Sequence, residues 1–193
     1  SGRNSLEPCL TSTAPGGFSS AIGPGAQASN ARSGAYALNS MASGSDSIAS
    51  GANANAAGNG AIAMGSGASS SLSAAAYSLS GVAIGQGSAA GTSGGSQWYD
   101  TAVGYNAKAT GDSASAFGGT SQATGDLSIA AGYGAQAKDN DATAFGTFAV
   151  AQGNTSTAIG PNACAGDVGS TAIGSGAYTA GSMGTAIGAV TSA

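Results

Sequence analysis

Residues that commonly carry chemistry are sparse in this chain. It contains no histidine, so its abundant serines cannot form a familiar nucleophilic triad. Cys9 and Cys164 are far apart in sequence and have no neighbouring Cys or His, so no metal or redox motif is present. No phosphate-binding lysine follows Gly94 and Gly95. We therefore expect neither enzymatic activity nor a cofactor.

Several aspartates recur near tight bends. A metal or acidic-ligand role and hydrogen bonding within the turn both fit this pattern. The calcium-binding roll consensus G-G-x-G-x-D is absent, which favours turn chemistry, and we predict no metal site. The residues are Asp112, Asp126, Asp139, Asp141 and Asp167.

Aromatic side chains provide the other candidate site. The only tryptophan, Trp98, stands beside Tyr99 in the stretch G-T-S-G-G-S-Q-W-Y-D. Trp and Tyr dominate the energetics of many interfaces, so the pair is a candidate ligand contact, together with Tyr77 and Tyr178. The alternative is that Trp98 packs on a neighbouring chain or caps its own loop.

Composition excludes several classes of protein. Four basic residues cannot form a nucleic-acid surface, so no nucleic-acid partner is expected. No apolar run approaches the roughly 18 residues of a membrane helix. The 35 glycines do not recur every third residue, which excludes collagen. Large apolar residues are too few for a conventional globular core.

An internal repeat organises the chain. The motif S-T-A-I-G recurs at a constant interval, and six consecutive steps of that same length lead from Ile187 back to Val103. We call the position of Ile187 the reference position. Further towards the N-terminus the spacing loosens, and we assign the reference position to Ile84, Met64, Ile48, Tyr36 and Ile22, which makes twelve units.

Alternation within each unit predicts two short strands. Thr171 and Ile173 are two residues apart and would point to the same side of a strand, and Ala172 would point to the opposite side. After a turn that contains Gly, Ala177 and Thr179 share a face that Tyr178 opposes. Two such strands and two turns form one coil of a parallel β-roll of about 14 residues per coil, so the fold class is all-β.

Packing arguments then orient the coil. We place the bulky reference residues inside, which predicts a roll core of Ile22, Ile48, Met64, Ile84, Val103, Phe117, Phe145, Ile159, Ile173 and Ile187. The alanine before each of them then points outward and forms a face for self-association. The predicted interface is Ala21, Ala102, Ala116, Ala130, Ala144, Ala158, Ala172 and Ala186.

The units resemble the head repeats of trimeric autotransporter adhesins, the YadA-like head family. The resemblance rests on S-T-A-I-G-x-x-A-x-A and covers residues 18–193. It implies a left-handed β-roll, a homotrimer and display on the outer membrane of a Gram-negative bacterium. It also implies host surface or extracellular-matrix proteins as partners. Membrane attachment would be only through an anchor that this chain lacks.

The domain expectations follow from the spacing of the units. Residues 1–17 match no repeat and are expected to be a leader or cap, and residues 18–193 form the head. The steps from Met64 to Ile84 and from Ile84 to Val103 exceed the regular step, which predicts longer loops near 70–81 and 86–100. Cys9 and Cys164 would lie too far apart along the roll for a disulfide.

Three functions remain open at this stage. The first is an adhesin head that attaches to host cells or matrix by multivalent display. The second is a structural spacer that projects another binding module. The third is an ice-binding roll, suggested by the ladder Thr143, Thr157, Thr171 and Thr185. Ser115 and Ile129 interrupt that ladder, and its parity places it inward, so the third is disfavoured.

Overall fold

The computed structural model describes residues 11–193. Cys9 and the first ten residues of the expected leader lie outside the described residues. The chain divides into two compact units, the first ending at Asn106 and the second spanning Ala107–Ala193. No helix within residues 11–193 is both long enough and apolar enough to cross a membrane.

The first unit consists of two parallel sheets of very short strands. The strands of one sheet are β1 (Ser20–Ile22), β3 (Gly34–Tyr36), β5 (Ile48–Ser50), β7 (Ile62–Met64), β9 (Val82–Ile84) and β11 (Thr101–Val103). The strands of the other are β2 (Gln27–Ala28), β4 (Met41–Ala42), β6 (Asn55–Ala56), β8 (Ala75–Ala76) and β10 (Ala89–Ala90). The chain alternates between the two sheets, so each coil contributes one strand to each.

The second unit repeats this arrangement. One sheet contains β13 (Ser115–Phe117), β15 (Ile129–Ala131), β17 (Thr143–Phe145), β19 (Thr157–Ile159), β21 (Thr171–Ile173) and β23 (Thr185–Ile187). The other contains β12 (Lys108–Ala109), β14 (Gln122–Ala123), β16 (Gln136–Ala137), β18 (Val150–Ala151), β20 (Cys164–Ala165) and β22 (Tyr178–Thr179).

Pairing between coils is parallel and in register with the repeat. Thr157 lies opposite Thr143 on one side and Thr171 on the other, each one regular step away in the chain. The predicted all-β parallel roll of about 14 residues per coil is therefore confirmed, with about twelve coils counted over the two units. No α-helix occurs among residues 11–193.

Two coils of the first unit are longer than the others, and their extra residues lie at opposite turns of the coil. In the first, residues 65–74 connect β7 to β8, at the turn where other coils need only four residues, and they contain a 3-10 helix, Ser70–Leu72. In the second, residues 91–100 connect β10 to β11, at the other turn. Strands β8 and β10 lie inside the stretches expected to be loops, so the insertions are shorter than those stretches.

The repeat also begins before residue 18. Thr13 forms a parallel bridge with Gln27, which is its equivalent one coil later. The Thr13 N–H donates to the carbonyl oxygen of Ala26, and the Ala28 N–H donates to that of Thr13. Residues 11–17 therefore include part of a coil, although no repeat was recognised there from the sequence.

The interior of the roll is made of small side chains, which reverses the predicted orientation. Ala158 in β19 and Ala163 and Ala165 on the facing segment have no accessible surface. Inward positions of other coils carry mainly alanine or serine, and the bulkiest fully buried side chains are Thr179 and Asp100. The two sheets are thus too close together to hold isoleucine or phenylalanine between them.

Two predicted residue sets are wrong for this reason. The proposed roll core points outward, and most of it is exposed: Ile22, Ile48, Met64, Ile84, Phe117, Phe145, Ile159 and Ile187, with Val103 and Ile173 half-buried. The proposed trimer interface is the actual interior, with Ala21, Ala102, Ala116, Ala130, Ala144, Ala158 and Ala172 at 0% exposure and Ala186 at 3%. Side chains without accessible surface in one chain cannot contact another chain.

The register of one coil, the one that contains Ile48 and Ser50, was also predicted wrongly. Ile48 pairs with Gly34 and Ile62, whereas Ser50 pairs with Tyr36 and Met64. The reference position of that coil is therefore Ser50, and two regular steps lead from Tyr36 to Met64. The error arose because residues two apart on a strand point to the same side, so the isoleucine lies on the same face at either position.

Serine has a structural role inside the turns. Ser47 Oγ donates to the carbonyl oxygen of Gly44 at 2.6 Å, and Ser128 Oγ donates to that of Gly125 at 2.6 Å. Both hydroxyl groups are fully buried, so these bonds satisfy polar atoms that would otherwise be costly. The abundance of serine therefore reflects the need for small side chains that can close a turn.

The residue after the reference position requires a left-handed backbone. Gly160 has φ 124°, and a Cβ atom there would lie 2.6 Å from the carbonyl oxygen of Gly174 in the next coil. Ala37 occupies this position at φ 116°. Such a conformation costs an L-residue about 1–3 kcal/mol. The coil that contains Ala37 is therefore locally strained.

We expect Ala37→Gly to stabilise the protein by about 1 kcal/mol, because relief of strain exceeds the entropy that glycine adds to the unfolded chain. Thermal unfolding followed by circular dichroism measures the shift. Ala52→Gly is the matched control, since Ala52 lies in the equivalent turn one coil later without a positive φ, and it should be slightly destabilising. An equal loss of stability in both variants would contradict the strain at Ala37.

Candidate functional site

The outward side of the three-residue strands presents large apolar side chains in both units. We call this the apolar face; it consists of the reference residues and the residues two before them. Its exposed members are Ile22, Tyr36, Ile48, Met64 and Ile84 in the first unit and Phe117, Ile129, Phe145, Ile159 and Ile187 in the second. No charged residue occupies either position in any coil. A surface of this kind is typical of an interaction site.

Threonines share this face in the second unit. Thr143, Thr157 and Thr171 are half-buried and Thr185 is exposed, each on the same side of its strand as the reference residue. The predicted inward parity of this ladder is wrong for the same reason as the predicted core. Every threonine of the ladder lies beside Phe145, Ile159, Ile173 or Ile187, so the face is mixed in polarity and mainly apolar.

The outward side of the two-residue strands is more polar. It carries Gln27, Met41 and Asn55 in the first unit, and Lys108, Gln122, Gln136, Val150, Cys164 and Tyr178 in the second. Tyr178 is 47% exposed and is the one aromatic residue of this set. Burial raises the pKa of the Cys164 thiol, so this cysteine is less reactive than an exposed one. The two outward sides thus differ clearly in chemistry.

The second insertion presents an aromatic pair. Trp98 and Tyr99 are 53% and 57% exposed, and their rings meet edge to face with centroids 6.2 Å apart. The Tyr99 N–H donates to the carbonyl oxygen of Leu79 at 2.8 Å, which ties this end of the loop to the preceding coil. Gln97 Nε2 donates to Thr92 Oγ1 at 2.9 Å across the loop. The pair is therefore held on an ordered loop rather than on a free end.

Tyr77, the remaining predicted contact, does not lie in an insertion. It follows β8 at an ordinary turn and is half-buried. The structure thus brings Trp98 and Tyr99 together, leaves Tyr77 in a separate turn of the first unit, and places Tyr178 in the second unit. Tyr77 shares its turn with Leu79, which forms a parallel bridge with Trp98.

A groove that the sequence did not reveal lies at the first insertion. We call it the Tyr105 groove; it has a volume of about 230 Å³ and is lined by Ser71, Leu72, Gln86, Gly87, Tyr105 and Asn106. Tyr105 is 63% exposed and Leu72 is 52% exposed. Residues of the 3-10 helix meet the turns of two later coils there, so the groove depends on contacts between distant segments. The only sequence signals were the extra residues themselves and a tyrosine in a turn.

Three of the recurring aspartates accept hydrogen bonds from backbone N–H groups of the turns. Asp126 Oδ1 accepts a hydrogen bond from the Asp112 N–H at 2.9 Å, across one coil. Asp139 Oδ1 accepts from the Asn140 N–H, and Asp167 Oδ1 accepts from the Val168 N–H. Among residues 11–193, no three His, Cys, Asp or Glu residues are grouped so that they could hold a metal ion.

One ion pair links neighbouring coils. The Arg32 guanidinium donates to both carboxylate oxygens of Asp46, at 2.5 and 2.7 Å. The hydrogen bond from Arg32 lowers the pKa of Asp46. Its small contribution to stability is therefore present at neutral pH and is lost as the pH falls through this lowered pKa. Both groups are exposed, so salt weakens the pair.

Comparison with family models gives one match, to the YadA head domain repeat (2 copies). The matched segments are residues 14–33, 42–68, 99–121, 123–149, 140–163 and 151–177, which together cover more than half of the chain. The chain belongs to the YadA head domain repeat family. This family forms heads of trimeric autotransporter adhesins. No curated protein matched the chain in a sequence search.

The matched segments distinguish the regular coils, which follow the family repeat, from the two insertions, which mostly do not. The matched segments lie mainly on regular coils, in both units. Residues 69–98, which contain most of both insertions, lie between matched segments. Leu72 and Trp98 belong to that stretch, so both the Tyr105 groove and the aromatic pair include residues outside the matched repeats.

Proposed function

We propose that three copies of this chain assemble through the apolar face into the head of a trimeric autotransporter adhesin. Each chain would wind as a left-handed roll, as the family resemblance implies. The observation that carries the proposal is the uncharged apolar face, which is repeated in every coil of both units. The head would be displayed on the outer membrane of a Gram-negative bacterium.

The energetics of a single coil support self-association. Its interior buries mainly alanine methyl groups, and apolar burial is worth only about 0.8 kcal/mol per CH₂ group. Isoleucine, methionine and phenylalanine side chains, which contribute most when buried, are left on the outside of one chain. Burying them against two other copies would supply the apolar area that the thin interior lacks.

Attachment to host surface or extracellular-matrix proteins is the proposed role of the assembled head. The apolar face and the interior repeat similar side chains at each step, and the insertions depart most from this repeat, so we assign ligand contact to the insertions. Trp98 and Tyr99 provide rigid, half-exposed rings that add contact area at low entropic cost. Three copies per head and many heads per cell would multiply weak contacts.

We expect the double variant Trp98→Ala, Tyr99→Ala to reduce attachment to host cells or matrix proteins at least about tenfold, because interface aromatic residues often contribute more than 1 kcal/mol each. Thermal unfolding should change little, since both rings are largely exposed. Binding to immobilised matrix proteins and to cultured host cells measures the effect.

The chain offers a closely matched control. Tyr133 and Phe148 also form an exposed edge-to-face pair, with centroids 5.5 Å apart, on turns of the second unit. Tyr133→Ala with Phe148→Ala should leave attachment intact. Equal loss with both pairs, or attachment that survives without Trp98 and Tyr99, would contradict the assignment to the second insertion.

A structural spacer is the alternative function. The six three-residue strands of the second unit follow one another without an insertion, as expected of a part that only extends the molecule. If the whole chain is a spacer, it will bind no matrix protein or host cell, even as a stable trimer. Binding of the isolated chain therefore discriminates between the two functions.

A further inference from the structure

The Tyr105 groove has a neutral lining of mixed polarity. Tyr105 contributes an aromatic ring, Leu72 an aliphatic side chain, Gln86 and Asn106 carboxamides, and Ser71 a hydroxyl group. None of the lining residues carries a charge at neutral pH. The groove thus combines two apolar walls with donors and acceptors, without the means to compensate an ionic ligand.

A missing side chain opens the groove. In the same turn position of earlier coils, Asn39 Nδ2 donates to Asn53 Oδ1 at 3.5 Å, and Asn53 Nδ2 donates to the carbonyl oxygen of Gly67 at 2.8 Å. Gly67 and Gly87 both lack such an amide, which next occurs at Asn106. A Cβ atom at Gly87 would lie 3.5 Å from Asn106 Oδ1, in ordinary van der Waals contact, so the space beside that amide is free because residue 87 is glycine.

The polar groups beside this space are available. The side-chain amides of Gln86 and Asn106 and the hydroxyl group of Tyr105 form no hydrogen bond with any residue in 11–193. Their backbone is nevertheless held, because the Asn106 N–H donates to the carbonyl oxygen of Gln86 at 2.8 Å. The carboxamides of Gln86 and Asn106 therefore lie on neighbouring coils whose backbone spacing is fixed. Each carboxamide offers two hydrogen-bond donors and one acceptor group.

We propose that the Tyr105 groove binds one residue of a neutral saccharide. The C–H face of a pyranose would lie against the Tyr105 ring, with Leu72 as the second apolar wall. The sugar hydroxyl groups would exchange hydrogen bonds with the amides of Gln86 and Asn106, which can both donate and accept. Sialylated, sulfated and phosphorylated sugars are disfavoured, because no cationic group lines the groove to pair with their charge.

The dimensions fit a single sugar residue. A volume of about 230 Å³ lies just below the ~300–1,000 Å³ of sites for drug-sized ligands. The groove is open to solvent at Tyr105, so the rest of a glycan chain could extend away from it. One such contact is weak, and several grooves on one assembled head would raise the avidity. This inference deepens the proposed attachment function and rests on it for its biological setting.

The test uses the full chain and an array of immobilised glycans that end in galactose, glucose, mannose, fucose, N-acetylglucosamine or N-acetylgalactosamine. Sialylated and sulfated counterparts are included on the same array. We expect binding to one or more of the neutral glycans and competition by the corresponding free methyl glycoside. Saturation-transfer NMR should show the strongest transfer to the C–H protons on one face of that glycoside's ring, the face expected to lie against Tyr105.

Two variants localise the binding. Gly87→Asn places an amide in the space beside Asn106, and it suits the backbone because asparagine already occupies this turn position at Asn39, Asn53 and Asn106. We expect it to reduce neutral-glycan binding at least about tenfold. Tyr105→Ala, which removes an exposed ring, should have a similar effect. Gly176→Asn is the control, since it makes the same change at the equivalent turn position in the second unit and should have no effect.

Three outcomes would overturn the proposal: no binding to any neutral glycan, a preference for sialylated or sulfated glycans, or undiminished binding by Gly87→Asn and Tyr105→Ala. Attachment to matrix proteins is measured in parallel. Its loss only in the Trp98 and Tyr99 variant, with glycan binding retained, would separate the two sites. Failure of the attachment function would leave the array result unaffected, so the two proposals fail separately.

Discussion

Replacing Ala158 by leucine is expected to destabilise the fold by about 3 kcal/mol, at the upper end of the range for overpacked cores. Ala158 has no accessible surface and lies between Ala144 and Ala172 of the adjacent coils. Three additional carbon atoms would push the two sheets apart, and neighbouring coils in the same ladder oppose such a shift. Thermal unfolding followed by circular dichroism should show a lower midpoint or loss of the transition.

The adjacent residue provides the control. Ile159→Leu introduces the same side chain one position later, on the apolar face and outside the interior of the roll. The exchange conserves side-chain volume, so the assembled protein should lose less than about 1.5 kcal/mol. If Ala158→Leu were harmless and Ile159→Leu strongly destabilising, the interior would have to lie on the isoleucine side, contrary to the observed burial.

Introducing arginine at Ile159 and Ile173 is expected to abolish assembly. Wild-type chain should sediment as a trimer of the 17.7 kDa chain, because the apolar face needs a partner. Two arginines on that face would place unpaired charge in an apolar interface, at a cost of several kcal/mol per buried ion. Analytical ultracentrifugation should then detect monomer or unfolded chain.

The polar side of the roll allows a matched control for assembly. Gln122→Arg with Gln136→Arg adds the same two charges on the outward sides of β14 and β16 and should leave the trimer intact. A trimer that survives the paired substitution at Ile159 and Ile173 would show that another surface mediates association. A stable, folded wild-type monomer at micromolar concentration would contradict the trimer altogether.

Some features of the fold were predictable from sequence because they depend only on spacing. A short, constant repeat with alternation on both sides of a turn leaves room for two short strands per coil, and the strands lie where this pattern places them. The opposition of Tyr178 to its neighbours Ala177 and Thr179 also follows from the same alternation. Whether two residues of one strand point to the same side depends only on the number of residues between them.

The candidate site was less accessible to sequence analysis. Trp98 and Tyr99 could be identified because the stretch around them departs from the repeat, and they do form an exposed pair. The Tyr105 groove could not be found, because Leu72 and Tyr105 are distant in the chain and meet only when an insertion in one coil contacts the turns of later coils. Nothing in the local sequence of either residue indicates this contact.

Sequence alone therefore determined the coil, its length and which residues share a side, whereas tertiary structure decided which side is inside. The rule that large apolar residues are buried predicts Ile159 inside and Ala158 outside. The distance between the facing sheets reverses this, since a gap closed by turns of four or five residues admits mainly alanine and serine. That distance depends on how turns and strands pack together, so neither periodicity nor composition could reveal it.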